Sequence, residues 1–523
     1  MPIHANKRFL SLFHRSIHSP VIVALAAAVG WNGCAKVEPS HDFQSTRDMI
    51  AEQTGVESVF TPAEFSLINE RVNALLVDGL SVDEAVRVGL LNNPAFQSLF
   101  QKIGASRADV VQSGLLSNPS LSLGVRFPEG GGRSNLSMGF AQELVDLWQI
   151  PVRKHIAEME LEQVVLTAVR EGVDLVADIR SKCYGLLALQ ETEAITREHL
   201  KLVEQSLGIS QKRFDGGETS KLDVNLVRAN MLQVQIDLIS IQRDRRVAEA
   251  GLARVLGLSR RGDAWGLADE LPKSAPPIGD ESGILILGTQ QRIDSRVAMA
   301  EIGQAEGELR RQYLNIVPSV SAGVEFERPE RRALPGRKIL NDTARASVAN
   351  GQLTAPDIQT KGERNLDRRQ IIDSLLGPTV AITLPIWDQN QAQIAKAQYR
   401  VIELRTKFEG LLDQIAQEID QAVTAYRAGL ELVSFYGSEG LPQVEENVQS
   451  ARSAYEAGEQ SVLALIEAQE NLLLQRRAYV AARKDLAVAA AELARAVGGR
   501  LSEPATSQPI ANPESNEKRG MDK

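Results

Sequence analysis

The chain has 523 residues, of which 43% are hydrophobic and 24% charged, a composition typical of a folded protein rather than a disordered one. Its net charge of −9 and its 5% aromatic content exclude the basic, base-stacking surface of a nucleic-acid-binding protein. The two cysteines, Cys34 and Cys183, are too few for a disulfide framework. Three of the six histidines precede residue 20, so we expect no histidine-rich metal site.

The first 33 residues have the pattern of an export signal. Lys7, Arg8 and Arg15 precede an apolar run at 20–31. This run is shorter than the roughly 20 residues that span a bilayer, but it suits the apolar core of a signal peptide. Gly33-Cys34 follows, which predicts acylation of the Cys34 thiol. Plain signal cleavage stays open, because Trp31 and Asn32 are unusual residues before a lipidated cysteine.

The remainder of the chain contains an internal duplication. PSLSLGVRF at 119–127 matches PSVSAGVEF at 318–326, an offset of 199 residues. FDGGETSKLDV at 214–224 matches YEAGEQSVLAL at 455–465, an offset of 241. The second copy therefore contains an insertion between the two matches. It falls at 327–376, a stretch rich in Arg, Pro, Gly, Asn and Asp that is typical of a long polar loop.

The first copy, at 81–258, follows a segment at 34–80 and begins with a predicted helix at 81–113. Apolar and polar residues then alternate, which predicts strands at about 121–127 and 136–144. Very long helices are predicted over 151–212 and 220–256. Their apolar residues recur at alternating spacings of three and four, the period of left-handed coiled-coil packing.

The second copy, at 283–499, repeats this order. We expect a helix at about 283–315, strands at 319–327 and 378–384, and long helices at 390–457 and 461–497. The copies are joined by a proline-containing linker at 259–282. A polar tail at 500–523 is predicted to be disordered.

These features together resemble the TolC-like outer membrane efflux proteins. The first copy contributes SVDEA at 81–85, NNP at 92–94, NPS at 118–120 and the segment from Gly217 to Val224. The second contributes PIWD at 385–388 and the segment from Tyr455 to Gln469. The resemblance covers residues 80–498 and rests on the order of the motifs more than on any one of them.

The resemblance implies a mainly helical protomer with a small β part that assembles as a homotrimer in the outer membrane. Each protomer would give four strands to a shared 12-strand barrel, and the long helices would form a periplasmic coiled-coil barrel. The strand pattern independently requires other copies, because four short strands cannot enclose a water-filled pore and open strand edges cannot lie in lipid. The implied function is the exit duct of a tripartite efflux system for small molecules or metal ions. An inner membrane pump and a periplasmic adaptor would be its partners.

The resemblance also assigns roles to residues near the two helix tips. Glu467 aligns with one of two acidic positions that form a periplasmic gate, whereas the other falls on Ala464. Asp223 is a second gate candidate, although an acid in the first turn of a helix needs no gate to explain it. The predicted adaptor contacts are four residues of each tip, namely Gly217, Glu218, Thr219, Ser220, Gly458, Glu459, Gln460 and Ser461. The simpler interpretation is that each glycine ends a helix and each serine begins the next.

Two other functions stay open. The same fold could serve type I protein secretion, or the chain could be a periplasmic coiled-coil scaffold without a pore. We find no nucleophile–base–acid set and no metal-ligand spacing, so we expect neither an enzyme nor a resident cofactor. Trp148 and Trp387 lie near strand–helix junctions, where an interfacial aromatic belt or ordinary packing would explain them.

Overall fold

The computed structural model describes residues 35–127, 134–259, 265–275, 278–328, 348–351 and 374–499. The predicted signal peptide, Cys34, the tail and most of the predicted loop at 327–376 lie outside these residues. The described part of the chain is mostly helical, with one small sheet. None of its helices combines the length and the apolar content needed to cross a bilayer.

The first copy follows an N-terminal segment that contains helix α1 (Ser40–Thr54), a 3-10 helix (Pro62–Leu67) and α2 (Ile68–Leu75). The helices and strands of the first copy follow one another in the predicted order. They are α3 (Val82–Asn92), α4 (Pro94–Ser113), β1 (Ser120–Arg126), β2 (Asn135–Glu143), α5 (Asp146–Asp215) and α6 (Lys221–Val255).

The second copy repeats the order with one additional interruption in its first long helix, a π-helical turn. Its elements are α7 (Glu281–Gln291), α8 (Ile293–Leu314), β3 (Ser319–Arg328), β4 (Leu375–Thr383), α9 (Gln391–Phe435), the π-turn (Tyr436–Gly440), α10 (Leu441–Glu456) and α11 (Val462–Val497).

The predicted helix at 81–113 is in fact two helices. Asn93 has extended backbone angles, and its side chain caps α4 by accepting a hydrogen bond from the Phe96 N–H at 3.0 Å. Pro94 occupies the first position of α4. The break follows from local chemistry, because a residue before proline avoids the helical conformation and proline suits a helix start. The predicted helix at 283–315 also breaks, at Arg292, where the backbone again leaves the helical conformation, although no proline follows and no side chain caps α8.

The two breaks lie at equivalent positions and are tied to equivalent carbonyls. The Asn93 amide donates to the Val255 carbonyl at 2.8 Å, and the Arg292 guanidinium donates to the Ala496 carbonyl at 3.2 Å. Asn93 and Arg292 are 199 residues apart, and Val255 and Ala496 are 241 apart, the offsets of the internal repeat. Each copy therefore fastens the corner between its first two helices to the end of its last helix.

Helix α5 has 70 residues and is about 105 Å long. It begins at Asp146, before the predicted start at Pro151, which lies inside the helix. The Asp146 carboxylate accepts hydrogen bonds from the Ser117 N–H and hydroxyl, both at 2.6 Å, and pairs with Arg153 at 2.9 Å. These contacts fix the start of α5 beside the start of β1.

The four strands form one antiparallel sheet in the order β1-β2-β3-β4. Within each copy the two strands form a hairpin, and β2 of the first copy pairs with β3 of the second. The sheet therefore joins the two copies into one unit.

Glycines allow close helix packing at matching places in the two copies. A Cβ at Gly89 would lie 2.2 Å from Ile179 Cδ1, and a Cβ at Gly288 would lie 2.4 Å from Ile419 Cδ1. Both isoleucines are fully buried. The duplication therefore extends to the side-chain packing that holds the first short helix of each copy against a long helix.

We predict that Gly288→Leu destabilises the protein by about 1–3 kcal/mol, because the new side chain must displace the buried Ile419. Gly283→Leu is the matched control, since Gly283 lies in the same helix and a Cβ there would have nothing within 4 Å. The measurement is thermal unfolding of the detergent-purified protein by circular dichroism. Equal melting temperatures for the two variants would contradict the packing described here.

Candidate functional site in the strand face and the helix tips

The register of the sheet sorts its side chains into an apolar and a polar face, because directly opposed residues share a face. Leu121 pairs with Phe140, Phe140 with Val324, and Val324 with Pro378. The same face also includes Leu123, Val125, Leu136, Met138, Val320, Phe326, Leu376, Val380 and Ile382. Leu121 and Val380 are 65% and 66% exposed, so in the isolated chain this apolar face lies open.

The opposite face of the sheet is built mainly from serine, glycine, alanine and threonine. It also carries charged residues, among them Arg126, Glu325 and Glu327. The Asn135 amide donates to the Glu327 carboxylate at 3.1 Å on this face. An apolar face opposite a polar one is the pattern of a strand set between lipid and water.

The edges of the sheet, β1 and β4, each pair with one strand in the described part of the chain. Their outer N–H and C=O groups therefore have no strand partner there. Pro378 lies in β4, and a proline is tolerated in an edge strand because it cannot donate to a ladder. The sheet thus presents two open edges as well as an open apolar face.

An exposed apolar segment follows β4, between the sheet and α9. Leu384, Ile386 and Trp387 follow β4 and are 65%, 61% and 88% exposed. Trp148 follows β2 but is half-buried, and its indole N–H has no partner among the described residues. Of the two tryptophans, Trp387 has the exposure expected at a membrane interface.

The two helix tips have the same backbone structure. Gly217 and Gly458 adopt φ of 79° and 78°, the left-handed region that favours glycine. The Glu218 N–H donates to the Arg213 carbonyl at 2.8 Å, and the Glu459 N–H donates to the Ala454 carbonyl at 2.9 Å. These are Schellman motifs, in which a glycine ends the helix and the last carbonyls gain partners.

The predicted gate residue Asp223 lies in a capping box at the start of α6. Its carboxylate accepts hydrogen bonds from the Thr219 hydroxyl at 2.7 Å and from the Ser220 hydroxyl and N–H at 2.8 and 3.0 Å. The hydrogen bond from Thr219 and then those from Ser220 lower the pKa of Asp223. The local role of Asp223 is therefore to cap a helix.

The second tip differs from the first. Ser461 begins α11 without a side-chain capping bond. Glu467 is exposed in the second turn of α11, and its side chain forms no hydrogen bond or ion pair with another described residue. The two predicted gate residues, Glu467 and Asp223, thus form no hydrogen bond with each other within the described part of this protomer.

Residues that the sequence analysis did not single out connect the two tips. The Tyr455 hydroxyl is 2.9 Å from the Ser210 hydroxyl, and the Arg213 guanidinium lies 4.9 Å from the centre of the Tyr455 ring. Arg213 also donates to the Tyr455 carbonyl and pairs with Glu218 at 3.5 Å. We call these contacts of Tyr455 with Ser210 and Arg213 the tip latch. The match of Tyr455 with Phe214 in the repeat was the only sequence signal for it.

Above the tip latch, α5 meets α11 along a buried polar seam. The Gln469 amide donates to the Ser206 hydroxyl at 3.1 Å, and Arg477 donates to the Thr196 hydroxyl at 3.0 Å. His199 is buried along the same seam. Its burial and, to a smaller extent, the positive charge of Arg477 lower the pKa of His199 to about 4. The contact between the two helical hairpins is thus more polar here than the core within each copy.

No group of three or more His, Cys, Asp or Glu side chains in the described ranges is placed to hold a metal ion. The described cavities are shallow grooves between helices rather than an enclosed site. One groove has a volume of about 650 Å³ and lies between the N-terminal segment, α3, α5 and α11.

An open apolar sheet carried on helices about 100 Å long defines a class of protein, the outer membrane channels with a periplasmic helical extension. The sequence model of the outer membrane efflux protein family matches residues 86–258 and 290–499. The chain belongs to this family and is an outer membrane efflux channel.

Comparisons with individual proteins agree with this assignment. The cobalt-zinc-cadmium resistance protein CzcC of Cupriavidus metallidurans is 20% identical over 426 residues, which cover 80% of this chain and 90% of CzcC. The crystal structure of CusC is similar with a TM-score of 0.63 at 18% identity, covering 82% of this chain and 94% of CusC. The outer membrane protein VceC of Vibrio cholerae has a TM-score of 0.61 at 16% identity, covering 80% of this chain and 96% of VceC.

We predict that Asp223→Asn destabilises the protein at neutral pH by roughly 1 kcal/mol, the usual effect of losing a helix cap. Because folding lowers the pKa of Asp223 below its usual 3.8, its contribution is present above that pH and disappears as the pH falls below it. The difference in melting temperature between wild type and variant should therefore shrink on acidification. A difference that is constant with pH would contradict the capping role.

Proposed function

We propose that the protein is the exit duct of a tripartite efflux system and works as a homotrimer. The observation that supports this most directly is the four-stranded sheet with an apolar face and two open edges. Backbone groups at such edges cannot remain unpaired in lipid, so β1 of one copy would pair with β4 of the next. Three copies give a 12-strand barrel wide enough for an aqueous pore. The duct itself would perform no chemistry.

The helix tips would dock a periplasmic adaptor, which in turn connects to an inner membrane pump. The eight predicted contact residues lie on two adjacent Schellman turns, and their exposed side chains include Glu218 and Glu459. The adaptor would therefore present basic or hydrogen-bonding side chains to these turns. The capping roles of Gly217, Gly458 and Ser220 do not compete with docking, because they use the backbone and inward-facing atoms.

Acylation of Cys34 would add a lipid anchor beside the barrel. Asp42, at the start of α1, pairs with Arg107 near the end of α4 that leads into β1, whereas Ile50 near the other end of α1 packs against Phe96 and Gly172. Helix α1 thus runs antiparallel to α4, and its N-terminal end points towards the strands.

Mass spectrometry of the N-terminal peptide tests the anchor. A mass increase that corresponds to a diacylglycerol and a fatty acid would support the anchor, and an unmodified peptide would overturn it.

The proposed cargo is divalent metal cations, by analogy with the cobalt-zinc-cadmium resistance protein that matches 80% of this chain. A duct need not bind what it passes, so selectivity would come from the charge of its lining and from the pump. Glu467, unpaired among the described residues and exposed near the second tip, is the proposed gate. Three copies of its carboxylate around the entrance would attract cations and repel anions.

We predict that Glu467→Gln lowers the preference for cations over anions in planar bilayers, because it removes a negative charge repeated three times at the entrance. Glu204→Gln is the control, since Glu204 is an exposed acid of α5 close to the first tip. Identical single-channel records for wild type and Glu467→Gln would remove Glu467 from the gate.

For the whole function, we predict that deleting the gene sensitises the cell to zinc, cobalt and cadmium, and that the full-length chain restores resistance. The panel should place these cations beside dyes, detergents and antibiotics. Sensitivity to organic compounds alone would replace the metal cargo with a multidrug one. No sensitivity, with a missing secreted protein instead, would indicate type I secretion.

A further inference from the structure

The chain that follows the last helix of the first copy connects the two ends of α3. At the end of α3, Gly257 lies so close to the Asn92 carbonyl that a Cβ on this glycine would clash with it. At the start of α3, Leu80 forms a parallel bridge with Leu267. The chain therefore passes from one end of α3 to the other within ten residues. We call residues 257–269 the α3 strap.

Three hydrogen bonds fasten the α3 strap at the start of the helix. The Leu80 N–H donates to the Gly266 carbonyl at 2.8 Å, and the Ala268 N–H donates to the Leu80 carbonyl at 2.9 Å. The Asp269 carboxylate accepts a hydrogen bond from the Val82 N–H at 2.7 Å. It thereby satisfies one of the N–H groups that have no partner within the first turn of a helix.

The C-terminal tail contains the sequence pattern of the α3 strap. The strap has LS at 258–259 and LAD at 267–269, and the tail has LS at 501–502 and IAN at 510–512. In both segments the two motifs begin nine positions apart. Their offset is 243, two more than the 241 of the last helices, so the tail carries two extra residues before its LS motif. The internal repeat thus continues beyond the last helix of each copy.

Helix α7 occupies the place of α3 in the second copy but has no such strap among the described residues. The tail starts at its end, because a Cβ at Gly498 would lie 3.1 Å from the Gln291 carbonyl oxygen. At its start, Gly279 is the counterpart of Leu80, and its N–H and carbonyl form no hydrogen bond with another described residue. A Cβ at Gly279 would have no atom within 4 Å.

Helix α7 also has an uncovered apolar face. Leu285 and Ile286 are 38% and 58% exposed, although the sequence of α7 is largely apolar and such helices are normally buried. Val86, the counterpart of Leu285 in α3, is fully buried in a cluster that includes Leu258 of the α3 strap. The described part of the second copy therefore lacks a cover that the first copy has.

We propose that residues 501–512 of the tail form a second strap, the α7 strap, which lies along α7 from its end to its start. Leu501 and Ile510 would then cover Leu285 and Ile286 and remove apolar surface from water. The segment is long enough, since twelve extended residues reach about 40 Å and a helix of 11 residues is about 16 Å long. The prediction of disorder remains for the rest of the tail.

The hydrogen bonds of the α3 strap have counterparts at the start of α7. The Gly279 N–H would donate to the Pro509 carbonyl, and the Ala511 N–H would donate to the Gly279 carbonyl. A proline suits position 509, because this residue only has to supply a carbonyl. The side-chain oxygen of Asn512 would accept a hydrogen bond from the Glu281 N–H, since asparagine caps a helix as well as aspartate does. The tail would thus complete the second copy, whichever cargo the duct carries.

Hydrogen exchange of the full-length, detergent-purified protein, measured by mass spectrometry, tests the α7 strap. Deleting 500–523 should speed the exchange of the α7 amides by at least about tenfold and lower the melting temperature, because the helix loses its cover and its cap. Deleting 516–523 is the matched control. It should leave both quantities at their wild-type values, since it keeps the whole α7 strap.

Point variants test the α7 strap in a chain of full length and serve where the long deletion lowers the yield. Asn512→Ala should speed exchange in the first turn of α7, whereas Asn512→Asp should not, because Asp269 has this role in the α3 strap. Leu501→Ser with Ile510→Ser should speed exchange along the helix. Met521→Ser, a change from apolar to polar outside the α7 strap, should have no effect.

Contrary results would indicate another cover for α7, or none. Exchange at the wild-type rate after deletion of 500–523 would overturn the α7 strap. If that exchange then rises only when the copies are dissociated, a second copy covers α7 instead. Identical exchange in Asn512→Ala and Asn512→Asp would also overturn the proposal, because the Asn512 side chain would then not cap the helix.

Discussion

The backbone of the four-stranded sheet sets the constraint on which the molecule depends. Its outer N–H and C=O groups on β1 and β4 need partners, and the exposed side chains of Leu121 and Val380 need an apolar environment. A single chain surrounded by water satisfies neither requirement, and a single chain in lipid satisfies only the second. Several copies in a membrane satisfy both. The long helices then continue the wall of the barrel away from the bilayer, where their charged faces meet water.

The two copies of the repeat differ in how the corner between their first two helices is held. The corner held by the neutral Asn93 amide in the first copy is held in the second by the Arg292 guanidinium, which also pairs with Asp294 and Glu418. The first joint uses ordinary hydrogen bonds. The second is a buried ion cluster, in which the loss of one partner leaves an uncompensated charge, typically at a cost of about 3–5 kcal/mol. The corner of the second copy is thus more sensitive to the loss of a single side chain than the corner of the first.

Much of the fold could be predicted from the sequence, because repetition, strand alternation and helix period are all local signals. The strand pairs and long helices occur within a few residues of their predicted bounds. The breaks at Asn93 and Arg292 were missed because apolar periodicity continues across a corner, although Pro94 marked the first of them. The π-turn was missed for the same reason, with Pro442 as its signal.

The candidate site was less predictable. Gly217 and Gly458 could be placed at the tips because positive φ favours glycine. The contacts of Tyr455 with Ser210 and Arg213 join residues more than 240 positions apart, and a single sequence contains no record of such pairing. The structure of one protomer places Asp223 in a helix cap and leaves the Glu467 side chain without a partner among the described residues. A ring of charges exists only when symmetry repeats it.

The pairing of β2 with β3 has a consequence for biogenesis. Asn135 and Glu327, which meet across this pair, are separated by 192 residues. During export from the N-terminal end, the first hairpin reaches the periplasm long before its neighbour and must wait with one edge unpaired and its apolar face in water. Such an intermediate is prone to aggregate, and non-local strand pairing is slow. The order of export therefore leaves the first hairpin exposed to aggregation until the second half of the chain has arrived.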